Sequence, residues 1–516
     1  MQQSQSKQQV GGILGFIERI GNKIPDITIL FISAFILVCV VSAVLAQIHF
    51  NYVHPATGRP IEITNMLSGK ALVDLMSKMV TNYANFPPLS MVIVATLGIG
   101  IADGSGYINT GLKKILSITP KVLITPVVIL VGMLSHLGPD SGYVIIIPIA
   151  AYMFYAVGKH PLAGIAASFA GIAGAFAANY TPSAIDPVIQ GFTQSAAQII
   201  DPGYQVNVLC NYFYAFASTF IVIGACWWVT EKITNPWLWK ACPLDDDLDL
   251  GNENNSSITP SENRAFKIAT AVLLLMLTGL AAALYPADSI LRAPDGVIAS
   301  FKAPIMQSIV SLIFIFAALV GLVYGIACGK IKSPKDVTAA MEEIMKTLVQ
   351  LIVFYFFAAQ FLYAFGASNM GALIAVSGAE FLKSLNLPPQ VTVFGIIVFV
   401  ALLNLIITSA SAKWAILAPI FVPMLMAVGI APELTQVAFR VSDSAVNVVT
   451  PMFAFYPLII LYCQKYVKNA GIGTLSSMML PYTIALLVSL TFMLYLFWWL
   501  DIPLGFQADY VYPRRF

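Results

Sequence analysis

Five ionisable side chains stand in stretches otherwise apolar enough for a bilayer: Asp140, Asp186, Lys413, Arg440 and Asp443. A charge at membrane depth is costly, so such residues mark substrate or ion paths by default. Arg440 and Asp443 fall three apart, on one helix face, a spacing that allows a mutual ion pair. Asp186 follows one break in an apolar run and Asp443 precedes another, which makes them first choices for coupling a cation to transport. Sodium would call on amide, hydroxyl and carbonyl oxygens such as Asn179, Thr181, Asn447 and Thr450, with Asn179, Asp186 and Asn447 as a candidate site; a proton would use a buried carboxylate. These residue types suit either ion. Trp414 offers a ring on which an aromatic substrate could stack, or one that simply packs.

The same stretches write helix starts inside the membrane, where unpaired N–H groups and a partial positive charge suit an anion. Asp140 and Ser141 precede one such start, and Ser409 and Ser411 another. Asp186-Pro187 and Thr450-Pro451 each place a capping side chain before a proline of a first turn. Ser135 beside His136 invites comparison with a nucleophile and its base. The expectation is a hydrogen-bonded polar turn, because no GxSxG context surrounds the serine. Asp103-Gly104-Ser105-Gly106 lacks the Gly-Lys-Ser/Thr ending of a phosphate loop, so ATP is not the expected energy source.

Composition says where these residues must be held. Of 516 residues 58% are hydrophobic and only 10% charged, against roughly a quarter charged in a soluble protein, and this places the chain in a membrane. A net charge of +2 gives no surface for nucleic acid. Six scattered cysteines form no CxxC pair and read as buried thiols. Plain spans are expected at 27–47, 89–112, 208–230, 266–285, 306–328, 345–366 and 476–500. The first is too long for the apolar part of a signal peptide and is expected to stay attached. Regions 121–200 and 390–463 are broken by Gly, Pro, Ser, Asn and Asp, so their backbone must be buried in protein or line a cavity.

Lysines after the second span, after 208–230, after 306–328 and before the last span assign those loops to the cytoplasm. That assignment requires each interrupted region to be a re-entrant hairpin plus one crossing. Segment 122–158 turns at Gly138-Pro139-Asp140-Ser141-Gly142, and 390–430 turns at Ser409-Ala410-Ser411. The expected fold is therefore all-α and polytopic, with nine transmembrane helices and two re-entrant hairpins in an inverted repeat with two broken helices. Shifted by 271 residues, Ile145–Pro161 matches Ile416–Pro432 at eight of seventeen positions, prolines and glycines included. Corresponding interrupted segments in two halves point to a substrate site near the midplane. The expected division is a cytoplasmic N-terminus at 1–26, frame helices at 27–112 and 208–366, a transport core at 121–200 and 390–463, and a last helix with an outer C-terminus at 476–516.

The chain resembles the aminobenzoyl-glutamate transporter (AbgT) family over nearly its whole length. The resemblance rests on Ile17-Glu18-Arg19-Ile20-Gly21-Asn22-Lys23-Ile24-Pro25, on Gly158-Lys159-His160-Pro161-Leu162-Ala163-Gly164, and on the run from Ser409 through Ser411, Lys413, Trp414 and Pro419 to Pro423. It implies a homodimer in a bacterial inner membrane. It further implies transport of p-aminobenzoyl-glutamate and, as in the efflux members, of sulfonamides, driven by the proton gradient without a cofactor. Carried over by position, the efflux members' functional residues fall on Asp186, Ser411, Trp414, Arg440, Asp443 and Pro451. Lys413 departs from the pattern and could meet a substrate carboxylate or pair with Asp443. The tips Ser135-His-Leu-Gly-Pro-Asp140 and Thr408-Ser-Ala-Ser411 lack the Ser-Asn-Thr of related sodium/dicarboxylate carriers, the nearest rival reading.

Overall fold

A computed structural model describes residues 26–54, 58–137, 141–245, 258–300 and 302–513. The N-terminal basic segment, Asp140 and most of the acidic run after Asp245 lie outside the described residues. Helices account for the regular structure: α1 Ile27–Leu45, α2 Gly69–Ala84, α3 Pro87–Ser105, α4 Tyr107–Ser117, α5 Ile124–Leu134, α6 Ser141–Ala156, α7 Pro161–Ala173, α8 Ile185–Ala197, α9 Tyr212–Val229 and α10 Asn235–Ala241. The second half adds α11 Pro260–Leu284, α12 Ile309–Cys328, α13 Pro334–Ala367, α14 Met370–Ser384, α15 Pro389–Asn404, α16 Ala410–Met426, α17 Pro432–Asn447, α18 Tyr456–Gln464 and α19 Ile472–Trp499.

Among the described residues seven helices or continuous helix pairs are long and apolar enough to cross a membrane, and each overlaps an expected plain span. The number becomes eight if α14 and α15, bent by 117°, count as one span. The expected nine crossings also include the two interrupted segments, 162–200 and 433–463. Boundaries moved where local chemistry decided them. Region 89–112 covers two helices, because Gly106 takes the left-handed conformation (φ 91°) between α3 and α4. The segment between the first two expected spans contains α2, whose N-terminus Ser68 caps. The expected span 345–366 is the rear of the 34-residue α13, started by a Ser333/Asp336 capping box with Pro334 at the first position.

The repeat is present in backbone detail. Hairpin one is α5 and α6, and hairpin two is α15 and α16; each is followed by a proline-started helix, α7 or α17, then by a break and a second half-helix, α8 or α18. Gly158 (φ 78°) and Gly429 (φ 86°), 271 residues apart, end the hairpins in the same conformation. Lys159 N–H bonds Phe154 O at 2.9 Å, and Ile430 N–H bonds Leu425 O at 2.9 Å, the same helix-ending loop in both copies.

Packing explains how the breaks are tolerated. All thirteen residues of α7 and all sixteen of α17 are buried, so neither half-helix faces lipid with open backbone. Helix α7 lies against both limbs of its own hairpin, whereas α8, beyond the break, lies against α16 of the other hairpin and against α3. Helix α17 packs on α15 and α19. The crossing of α8 to the partner repeat brings residues near 186 and residues near 440 into one site. Helices α3 and α12 approach backbone to backbone: a Cβ on Gly321 would stand 2.5 Å from Ala102 N. Helix α11, only 6% buried over its apolar window, marks the periphery.

Candidate functional site

Two ion pairs are buried in the centre: one replaces the possible Arg440–Asp443 pairing, and the other is the Lys413–Asp443 alternative. Arg440 does not pair with Asp443, although the two share a helix. Arg440 Nη1 meets Asp186 Oδ1 at 2.7 Å, and Nη2 donates to Phe176 O at 3.0 Å, a carbonyl that the first break leaves without a helical partner. Asp186 turns its other oxygen back to Ser183, accepting from the backbone N–H at 2.7 Å and from Oγ at 3.0 Å. The expected N-cap role of Asp186 therefore falls differently: Ala184 is the cap residue, and Asp186 ties the helix start from inside the first turn. Thr450 is no N-cap either. Its hydroxyl donates back to Val446 O at 2.8 Å, Pro451 lies in the turns that follow, and the next helix begins only at Tyr456, with Pro457 in its first turn.

Asp443 instead meets Lys413 Nζ at 2.7 Å. Lys413 also donates to Asn404 Oδ1 and stands 5.9 Å from the centre of the Phe439 ring. Asn404 in turn donates to Asp443 O at 2.9 Å and to Asn447 Oδ1 at 3.1 Å. The oxygens considered for sodium thus divide. Asn447 belongs to this sealed cluster, whereas Asn179, Thr181, Asp186 and Arg440 line a void of about 10 Å³ near the first break. In that void Asn179 Oδ1 and Thr181 Oγ1 are buried without a hydrogen-bond partner among the described residues.

Trp414 is 1% exposed, stacked on Phe439 at 4.4 Å, and its Nε1 donates to Thr193 Oγ1 at 2.9 Å. From Thr193 a chain of hydrogen bonds runs to Gln436 Oε1 (2.6 Å) and from Gln436 Nε2 to Asn211 Oδ1 (2.7 Å). Buried Glu433 accepts from Tyr204 OH at 2.9 Å. These polar groups join the two repeats, and sequence reasoning passed over them. The available signal was a run of polar residues at membrane depth, since Glu433, Gln436, Arg440 and Asp443 repeat at helical spacing on α17.

Beside these pairs lies a cavity of about 340 Å³. Ser135, His136, Gly142 and Tyr143 of hairpin one, Ile172 to Val188 around the first break, Ser411 of hairpin two and Phe453 and Phe455 of the second break contribute to its wall, closed by Thr96 of α3 and Tyr355 of α13. The starts of α6, α8 and α16 all open on it. Tyr143 stacks on Phe455 at 4.1 Å, and His136 on Phe176 at 5.0 Å. Of the expected substrate residues, Ser411 reaches this wall, whereas Trp414, Lys413 and Pro451 do not; Arg440 and Asp186 stand in the adjoining void. Ser135 Oγ donates to Gly132 O at 2.6 Å and His136 Nε2 bonds Ile172 O at 2.6 Å, as a structural polar turn requires.

A repeated pair of hairpins and broken helices around a central cavity, flanked by membrane-length helices, defines a polytopic membrane transporter. The chain belongs to the AbgT putative transporter family, whose profile matches residues 12–512. It is 33% identical over 511 residues to the p-aminobenzoyl-glutamate transport protein of Escherichia coli (strain K12), covering 99% of this chain and 98% of that protein. Among solved structures it is similar to the YdaH transporter of Alcanivorax borkumensis, a protein of unusual topology, with TM-score 0.87, 36% identity, and coverage of 93% of this chain and all of that one. It is also similar to MtrF of Neisseria gonorrhoeae, of a class of antimetabolite efflux pumps, with TM-score 0.90, 39% identity, and coverage of 96% of this chain and all of that one.

Proposed function

We propose that the protein is a secondary carrier of the bacterial inner membrane that exports p-aminobenzoyl-glutamate, sulfonamide-type aromatic anions or both, driven by an inward proton gradient, as a homodimer. The observation that carries this reading is the convergence of three helix starts, α6, α8 and α16, on one aromatic-lined cavity of about 340 Å³. Helix starts suit an anionic group, stacked aromatic faces suit a ring, and the volume falls in the range of small-molecule sites. The names of the relatives, a p-aminobenzoyl-glutamate transport protein and an antimetabolite efflux pump, point to the same chemistry.

Asp186 is the proposed coupling group next to the cavity. Protonation of its carboxylate would release Arg440 from the ion pair, so that proton occupancy of Asp186 and the hold of the guanidinium on a substrate anion would be linked. Asn179 and Thr181 would serve a bound water or, in the sodium alternative, the cation itself. Asp443 is the second proposed coupling group, opened only when α16 and α17 part. Lys413 holds it in the sealed cluster together with Asn447.

Purified protein in liposomes, given radiolabelled p-aminobenzoyl-glutamate or a sulfonamide under imposed proton or sodium gradients, tests the reading. A proton gradient should drive uphill movement that Asp186→Ala abolishes in folded protein. Movement under a sodium gradient alone would overturn the proton assignment, and movement of dicarboxylates without an aromatic ring would overturn the substrate assignment.

A further inference from the structure

A second, larger cavity lies far from the substrate site in character. It occupies about 640 Å³ between the base of hairpin one and the end of α9. Three lysines stand on its wall: Lys121 just before α5, Lys159 just after α6, and Lys232 in the π-helical turn Thr230–Thr234 that links α9 to α10. Glu231, also on the wall, is already committed, accepting from Lys159 Nζ at 2.5 Å and from Thr125 Oγ1 at 2.6 Å. Lys121 and Lys232 are exposed and make no ion pair or hydrogen bond among the described residues, so the groove carries two uncompensated ammonium groups. A π turn inserted at such a point is a widening that recurs at binding sites.

The surroundings select the anion that would sit there. Phe216, Phe220, Trp227 and Trp228 present one exposed apolar stripe along α9, at 44%, 66%, 36% and 58% exposure. Such a stripe on a membrane-length helix faces hydrocarbon, and two tryptophans at the point where the stripe gives way to lysines mark the interfacial level. Val122, 77% exposed, lies at the same mouth. Val157 is shared with a neighbouring cavity of about 270 Å³, polar at Lys113, Ser117 and Thr119 and apolar at Leu116, Ile124, Ile149 and Met153, the apolar side a path for an acyl chain. A soluble anion would use the lysines and leave these apolar walls unused.

We propose that this groove binds an anionic phospholipid, with its phosphodiester between Lys121 and Lys232, its glycerol region against Trp227 and Trp228, and a chain along Val122 and Val157. A lipid held there bridges the base of hairpin one to α9 and fixes the hairpin at the headgroup level. The test uses the full chain, delipidated in detergent and titrated with phosphatidylglycerol or phosphatidylcholine, with bound lipid counted by native mass spectrometry. Phosphatidylglycerol should bind and phosphatidylcholine should not. Lys121→Gln with Lys232→Gln should weaken binding roughly 25-fold, from about fivefold per lysine near an anionic headgroup, and Lys121→Arg with Lys232→Arg should retain it. Phosphatidylglycerol brominated in its chains should quench indole fluorescence in the native protein, and Trp227→Phe with Trp228→Phe should remove that component. Equal binding of phosphatidylcholine, an undiminished glutamine variant, or displacement of the lipid by equimolar inorganic phosphate would each overturn the proposal. If the glutamine variant failed to fold, the arginine variant and the quenching would still decide.

Discussion

The two central ion pairs are alike in composition and opposite in setting. In the pair Asp186–Arg440 the side chains are 11% and 8% exposed, the guanidinium also serves a backbone carbonyl of the break, and a void with unpaired oxygens adjoins it. In the pair Lys413–Asp443 they are 0% and 3% exposed, packed between α15, α16 and α17 under the Trp414–Phe439 stack. The first borders a small void beside the cavity, whereas the second is enclosed by packed helices. Taking charges out of water is repaid only by close partners, so the sealed pair is the one on which integrity depends and the pair beside the void is the one free to exchange partners.

The sharpest way to break this contrast is to remove one half of the sealed pair. Lys413→Met leaves Asp443 charged with nowhere to go, and should cost about 3–5 kcal/mol, read as a large fall in the unfolding midpoint in detergent. Lys413→Met combined with Asp443→Leu removes both charges and should recover most of that loss. A single variant as stable as the parent would mean that water reaches the pair. Asp186→Asn should do the reverse: a smaller stability loss, about 1–3 kcal/mol, because its amide oxygen still accepts from Ser183 and Arg440 keeps Phe176 O. Gradient-driven transport in liposomes should nonetheless disappear. Retained coupled transport would remove Asp186 from the coupling role.

An intermediate effect distinguishes packing from substrate contact at Trp414. Trp414→Phe keeps a ring on Phe439 and loses the bond to Thr193, which should cost about 1 kcal/mol and leave the affinity for an aromatic substrate, measured by calorimetry, unchanged. A marked loss of affinity would show that the indole turns into the cavity in another state of the transport cycle.

The architecture was largely legible because membrane length and repeat symmetry are one-dimensional signals. The seven plain spans, both hairpins and the matched Gly158 and Gly429 follow from apolar run length, interrupting residues and an offset of 271. The candidate residues were legible as types, since a charge at membrane depth announces itself. Their partners were legible only in part: Lys413 with Asp443 stood among the alternatives, whereas Asp186 with Arg440 did not. Spacing three apart put Arg440 with Asp443, but α8 crosses to hairpin two and brings Asp186 to the guanidinium first, and Lys413 reaches Asp443 from α16. The cavity wall was hidden for the same reason: Tyr143 and Phe455 are 312 positions apart, and no local pattern says that they stack. Helices α2 and α14 were missed because short helices in polar or mixed sequence carry no span-length signal.

The smallest expected effect tests whether the two halves are equivalent in energy as they are in geometry. Gly158 and Gly429 both hold the left-handed conformation that ends a hairpin limb, and each precedes a backbone bond to the carbonyl five residues before it. A Cβ at Gly158 would meet nothing within 4 Å, and one at Gly429 would meet only Tyr512 O at 3.6 Å, an ordinary contact. Space therefore adds nothing at either position, and the cost of alanine is the cost of the conformation, about 1–2 kcal/mol. Gly158→Ala and Gly429→Ala should lower the unfolding midpoint by equal, small amounts. Unequal losses would mean that one hairpin end is held by its surroundings and the other by its own backbone, and the two copies would then share a shape without sharing what maintains it.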